Sequence, residues 1–302
     1  IEREHCYQIT RCTVALQYDT DNIIDLTVMP NQIRLAIMTG AGGVGKTTLA
    51  ANLGYEVARL GKQVAIFDLD PQGSLNVACR LNKTPAPKAT TAWIYSGFFD
   101  GNYTLTPVWE QHVKGLEVFQ GGSALFKVMP NLAQASGSHL LKEALSEYPL
   151  THDLIIFDCP ATLDQIPKSA LIAATHLLVP LMPDAKAVDG TRVLLDWYAA
   201  NVQELQLSSP PAFLGFVINN VEDGAEHQRL SKELPPRYEA RGYRVFPAIK
   251  HYTAFTNAWS EAVPLRVHRA AHPALKPIEA IVKAIQQEIK GVKRGKEKST
   301  RR

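Results

Sequence analysis

The sequence predicts an α/β fold: a doubly wound, mostly parallel sheet with helices on both faces. Three observations carry the prediction. Short apolar runs alternate with longer helical stretches along most of the chain, the pattern of repeated βαβ units. The runs are almost continuously apolar, as strands covered on both faces must be. A glycine-rich loop joins the first run to the first helical stretch. The length of 302 residues, with 46% hydrophobic and 20% charged, suits one such domain with extensions and excludes disordered, collagenous and disulfide-scaffold chains.

Taken in order, residues 1–28 fit poorly with the rest of the chain and are read as an N-terminal extension of uncertain origin, with no function assigned. Met29-Pro30 leads into the first strand, 33–38, and residues 29–290 are expected to form the main domain. Further strands are predicted at 63–67, 116–119, 154–157, 177–181 and 213–218, with 116–119 edge-like because Glu117 interrupts it. The segment 81–107 breaks the rhythm; it is rich in Pro, Thr and Gly and carries Trp93, Tyr95, Phe98, Phe99 and Tyr103. It is read as an insertion whose aromatics cover the sheet edge, or as a partner surface. In the last helix Leu275, Ile278, Ile281, Val282, Ile285 and Ile289 form one stripe, expected to dock on the domain.

Charge is unevenly spread. Lys290 to Arg302 contains seven basic residues and one acid, net +6, leaving −3 for the rest of a chain whose total is +3. Residues 291–302 are therefore read as a disordered basic tail, attracting polyanions by counterion release or simply aiding solubility. Arg266, His268, Arg269 and Lys276 precede it and are candidates to extend a phosphate-contacting surface. No bulky apolar residue follows Val292, which argues against an amphipathic membrane anchor, and no run approaches the length of a membrane span. With no export signal, a cytoplasmic setting is expected. The four cysteines lack ligand spacing and are read as free thiols.

The chemistry begins at Gly40-Ala41-Gly42-Gly43-Val44-Gly45-Lys46-Thr47-Thr48, between first strand and first helix. Small residues let backbone amides converge on phosphate oxygens, and the helix N-terminus adds positive potential. Lys46 reaches the outer phosphates and Thr47 suits Mg²⁺, so a nucleoside triphosphate with Mg²⁺ is the expected ligand. Asp68-Leu69-Asp70-Pro71-Gln72-Gly73 follows the second strand, and Asp158-Cys159-Pro160 ends the strand at 154–157. Carboxylates at such strand ends serve Mg²⁺ or its water shell.

From about Ile33 to Ile289 these segments resemble the ParA/MinD group of deviant Walker-type ATPases. The resemblance implies that Lys46 holds the ATP phosphates, Thr47 and Asp158 hold Mg²⁺, and Asp70 positions or activates the attacking water close to the metal. It also implies a homodimer closed face to face over two ATP molecules, bound to nonspecific DNA or membrane in that state and released when a partner stimulates hydrolysis. Asn219 or Asn220, at the end of the strand 213–218, is then expected at the adenine, or as a loop cap, and Pro247 beside the base. His251, Tyr252 and Phe255 follow as core or rim residues.

One position departs from the group's pattern K-G-G-x-G-K-[ST]: where its first lysine crosses to the partner's phosphates, this chain has Ala41. That resembles the carboxysome-positioning McdA branch, which lacks the lysine. Lys168, one step past Pro167 at a predicted helix start, is the first candidate substitute, because a cation there opposes the helix dipole unless an anion is near; Lys142 and Lys186 are the others. The expected function is a cytoplasmic, nucleoid-associated ATPase that binds nonspecific double-stranded DNA and positions a carboxysome or plasmid with a ParB-like or McdB-like adaptor. The alternatives are a nucleotide-binding scaffold with little hydrolysis and a MinD-like membrane-associated regulator.

Overall fold

The computed structural model describes residues 32–299 except 135, with side chains through Gly291; the expected extension 1–28 lies outside the described residues. In chain order the elements are β1 (Ile33–Ile37), α1 (Lys46–Arg59), β2 (Val64–Asp68), α2 (Ser74–Ala78), β3 (Thr106–Pro107), β4 (Leu116–Phe119), α3 (Ala124–Leu132), α4 (Leu140–Glu147), β5 (Leu154–Asp158), α5 (Gln165–Ala173), β6 (His176–Leu181), α6 (Ala185–Glu204), β7 (Ala212–Ile218), α7 (Ala225–Glu239), β8 (Val245–Phe246), α8 (Thr253–Glu261), α9 (Leu265–His268) and α10 (Leu275–Ser299).

The strands form a sheet in the order β3-β4-β2-β5-β1-β6-β7-β8. Every pairing is parallel except β3 with β4. From β1 the chain winds outward to β2 and β4 on one side, and from β5 to β6, β7 and β8 on the other. The C-terminal ends of β1, β2 and β5 therefore border the crevice in which doubly wound sheets bind ligands.

Alternation along the strands sorts the core into two layers. Ile33, Leu35 and Ile37 of β1, with Leu154 and Ile156 of β5, pack under α1, α8 and α10. Ala36, Ile155 and Phe157 point the other way, under α3 to α7. All six stripe residues of α10 are buried, as the periodicity predicts.

Three sequence expectations change. The run 116–119 is not the edge: the two-residue antiparallel β3 covers it, and Glu117 is polar because it meets the His152 ring at 2.9 Å. The aromatics of 81–107 pack over the face of β2 and β4, with Tyr103 against Phe67 and Phe119, while Phe98 is 78% exposed. The basic run after Lys290 is helical to Ser299 rather than an unstructured arm. Lys, Arg and Glu, which make up much of this run, are good helix formers. Among the described residues no helix is long and apolar enough to cross a membrane.

Candidate functional site

Parallel pairing sets three strand ends side by side. Ile37 of β1 registers with Asp158 of β5, and Asp158 with Asp68 of β2. The loop Gly40–Gly45 leaves β1 at this row and turns into α1, whose first residue is Lys46. Gly42 and Gly43 form its exposed tip, Val44 is buried against Ala41 and Ala187, and Thr47 and Thr48 occupy the first helical turn. Gly45 adopts φ +87°, and a Cβ there would stand 2.5 Å from the Asn219 amide nitrogen, so both conformation and space require glycine.

Asn219 explains why the loop sits where it does. It directly follows β7 as a buried side chain, and its Nδ2 donates to the Val44 carbonyl at 2.7 Å. Asn220 follows with φ +58°, its Oδ1 2.6 Å from the His251 ring nitrogen. Together with Gly43, Gly45, Thr48, Tyr252, Phe255 and Trp259, these residues line a cavity of about 280 Å³ beside the loop. Pro247 is exposed just beyond β8 and outside that lining.

Behind the loop lies a buried charge cluster. Lys46 is 7% exposed, and burial lowers its pKa while Asp158, Cys159 and Asp70 oppose the shift. Burial raises Asp158 to about 7, against the Thr47 hydroxyl and Lys46, which pull it down. Thr47 faces the carboxylate without closing a hydrogen bond of ordinary geometry: both Asp158 oxygens are buried and unpartnered, as is Asp68 Oδ2. Asp68 is pushed well above the usual carboxylate range by burial first and by Asp158 next, while its Oδ1 accepts the Asp70 N–H at 3.0 Å. Burial disfavours the charged form of both carboxylates, and each ionised group makes ionisation of its neighbour harder.

Unpartnered carboxylate oxygens, a threonine hydroxyl and a phosphate loop make a hard, all-oxygen donor set, which fits hydrated Mg²⁺. Asp70 sits one step outward on a turn, partly exposed, with its Oδ1 accepting the Gln72 N–H at 2.8 Å. Asp68 is the member that sequence reasoning passed over; the signal was its place at the end of β2, level with Asp158. Phe255 and Trp259, four apart on α8, were likewise not read as a pair.

The candidate cations separate cleanly. Lys168 lies on α5 and its Nζ pairs with Glu204 Oε1 at 2.9 Å. Glu204 ends α6, whereas Gly190 of the same helix meets the loop: a Cβ on Gly40 would stand 2.5 Å from the Gly190 carbonyl oxygen. These two points of α6 are roughly 20 Å apart at about 1.5 Å per residue. The structure therefore does not bring Lys168 to the phosphate loop of its own subunit. Lys142 is exposed on α4. Lys186 is exposed in the first turn of α6, next to Ala187, which packs on Ala41 and Val44. Ala41 itself is 5% exposed and faces α6. Arg266, expected on a phosphate surface, is instead bound to buried Glu56 and to Glu279.

Comparison with known proteins places the fold and the family. Residues 32–208 match the AAA domain family. The sporulation initiation inhibitor protein Soj of Bacillus subtilis is 30% identical over 54% of this chain and 63% of its own length. The chain thus spans less than two thirds of that relative. The maintenance of carboxysome distribution protein A of Synechococcus elongatus is 26% identical over 74% of this chain and 88% of its own length. Among solved structures, an ATP complex of a Cyanothece McdA variant superposes with a TM-score of 0.74 at 20% identity, covering 85% of this chain and 97% of the other, which establishes likeness of fold. The chain belongs to the AAA domain family, as a ParA-like member of it.

Proposed function

We propose that this chain is an ATPase that closes face to face on a second copy over two ATP molecules, binds nonspecific double-stranded DNA in that state, and positions a cargo through an adaptor. The observation that carries the reading is the convergence of Lys46, Asp68 and Asp158 behind the phosphate loop, with three carboxylate oxygens left unpartnered. Lys46 and the loop amides would hold the phosphates, and Thr47 and Asp158 would hold Mg²⁺. When bound, that ion neutralises charge between the outer phosphates. Asp70, on its partly exposed turn, orients the attacking water. Asn219 fixes the loop from behind, and Phe255 and Trp259 offer apolar surface to the base.

A ParB-like or McdB-like adaptor is the expected partner, and a carboxysome or a plasmid the cargo; the relative named for carboxysome distribution supports this. A nucleoid-associated, cytoplasmic setting follows from the DNA-binding step. The apolar stripe of α10 is buried in the core, which speaks against a MinD-like membrane anchor on that face. Ala41 brings no charge to the dimer face, so the cation that meets the partner's phosphates is assigned to Lys186. It projects from a helix start beside the loop, where a lysine is disfavoured unless an anion is present.

The test is retention of nonspecific DNA and sedimentation of the protein with ATP and Mg²⁺, with ADP and Mg²⁺, and without nucleotide. A DNA-binding dimer is expected with ATP alone. Equal DNA retention with ATP and ADP would refute the switch, because only the γ-phosphate connects the two faces. Rising salt should weaken binding to all sequences alike.

A further inference from the structure

The 3-10 turn Thr91–Ser96 belongs to the segment that breaks the sheet's rhythm, and it is bonded both to Asp68 at the end of β2 and to α5. At one end the Thr91 hydroxyl donates to the Asp68 carbonyl at 2.7 Å, and the Thr91 N–H donates to the Gln120 carbonyl at 2.8 Å. At the other, the Tyr95 hydroxyl lies 2.7 Å from Ser169 Oγ on α5. Ser169 gives its single proton to the Ile166 carbonyl, so Tyr95 is the donor. The Tyr95 carbonyl in turn accepts from Asn131 Nδ2 at 2.9 Å. Thr91, Tyr95 and Ser169 are each fully buried.

The surroundings make these hydroxyls informative. The layer under α3 to α7 is mostly apolar, with Phe67, Phe119, Phe157 and aliphatic side chains, and the buried Tyr103 hydroxyl in it has no partner, whereas the Thr91 and Tyr95 hydroxyls are both bonded. A buried hydroxyl there gains little net stability even when paired, and an apolar residue would fill the space with no desolvation penalty. What a directional bond supplies is register. Asp68 runs on into the Asp70 turn, whose carbonyl is held by the Gly122 N–H, and α5 follows directly on Asp158 through the short loop 159–164. Turn Thr91–Ser96 is thus bonded to the last residue of β2 and to α5, which follows β5.

We propose that Thr91 and Tyr95 are positioning residues for hydrolysis, locking the Asp68–Asp70 turn and α5 into the one mutual register in which Asp70 meets the attacking water. This rests on the reading of the chain as an ATPase. Both act through the segments they hold, the end of β2 and α5.

The variants are Thr91→Val, which keeps shape and loses the hydroxyl, Thr91→Ser, which restores it, and Tyr95→Phe. ATP affinity and stoichiometry are measured first, then turnover per bound ATP. Turnover per bound ATP is expected to fall about fivefold in Thr91→Val and about threefold in Tyr95→Phe, with affinity within about twofold of wild type and Thr91→Ser close to wild type. A purely structural role would lower the fraction of protein that binds ATP and leave turnover per bound ATP unchanged; that result overturns the proposal. Hydrogen exchange of the ATP complex gives a second reading that does not depend on turnover. Amides at 69–73 and in α5 should exchange at least about threefold faster in both variants, and unchanged exchange also overturns it. A wild type that binds no ATP refutes the nucleotide reading itself, whereas one that binds ATP without turning over refutes the hydrolytic reading and leaves the register claim to the exchange measurement.

Discussion

Replacing Asp158 by asparagine should stabilise the nucleotide-free protein at pH 8 and do little at pH 5. Burial holds the Asp158 carboxyl near 7 against an ordinary value of 3.8. Between those values the folded state binds more protons than the unfolded state, so stability falls as pH rises from about 4 through about 7 and levels off above. At about 1.36 kcal/mol per pH unit, that gap is worth about 4 kcal/mol at pH 8, shared with Asp68 because the two carboxylates titrate together. Asparagine keeps the shape and has no charge to desolvate. At roughly 2–4 °C per kcal/mol for a domain of this size, the variant should melt up to roughly 8–16 °C above wild type at pH 8, and within a few degrees of it at pH 5. Thermal melts of both proteins without nucleotide, at the two pH values, make the comparison. A difference that does not change with pH, or a variant less stable at pH 8, would refute the reasoning that burial disfavours the charged Asp158 carboxylate.

Asp70→Ala should keep ATP bound and slow its turnover at least about tenfold, whereas Lys46→Ala should abolish nucleotide binding, and equilibrium binding followed by single-turnover assays separates the two. Lys186→Ala should bind ATP yet stay monomeric in sedimentation. Lys168→Ala loses an ion pair whose acid is 66% exposed, worth about 0–1 kcal/mol, and should dimerise normally; the reverse pattern would return the role to Lys168. Asn219→Ala leaves the Val44 carbonyl without its donor, so a stability loss of about 1–3 kcal/mol and weaker ATP binding are expected, larger than for Asn220→Ala in parallel calorimetry.

Local chemistry written along the chain was legible in the sequence. Continuous apolar runs require burial on both faces, so β1, β2, β5, β6 and β7 could be read within a residue or two, and the loop before Lys46 announced phosphate through spacing alone. The stripe of α10 was legible for the same reason, since a period near 3.6 permits one buried face. Strand pairing was not written there. Thr106–Pro107 and Val245–Phe246 are strands only because a neighbour supplies their hydrogen bonds, and two residues hold no periodicity to read. Register across β2 and β5 put Asp68 beside Asp158 and made both into desolvated acids whose pKa values are raised, although 90 residues separate them. The same holds for the cations. Lys168 and Lys186 each stand in a first helical turn, and only the path of α6, touching Gly40 near its start and reaching Lys168 at its end, shows that Lys186 lies beside the loop of its own subunit and Lys168 does not. The sequence alone determined which residues carry chemistry and which faces must be buried, because those follow from side-chain type and local period. Tertiary structure decided which of them meet, because proximity between distant segments depends on strand order and helix direction, and no local pattern encodes either.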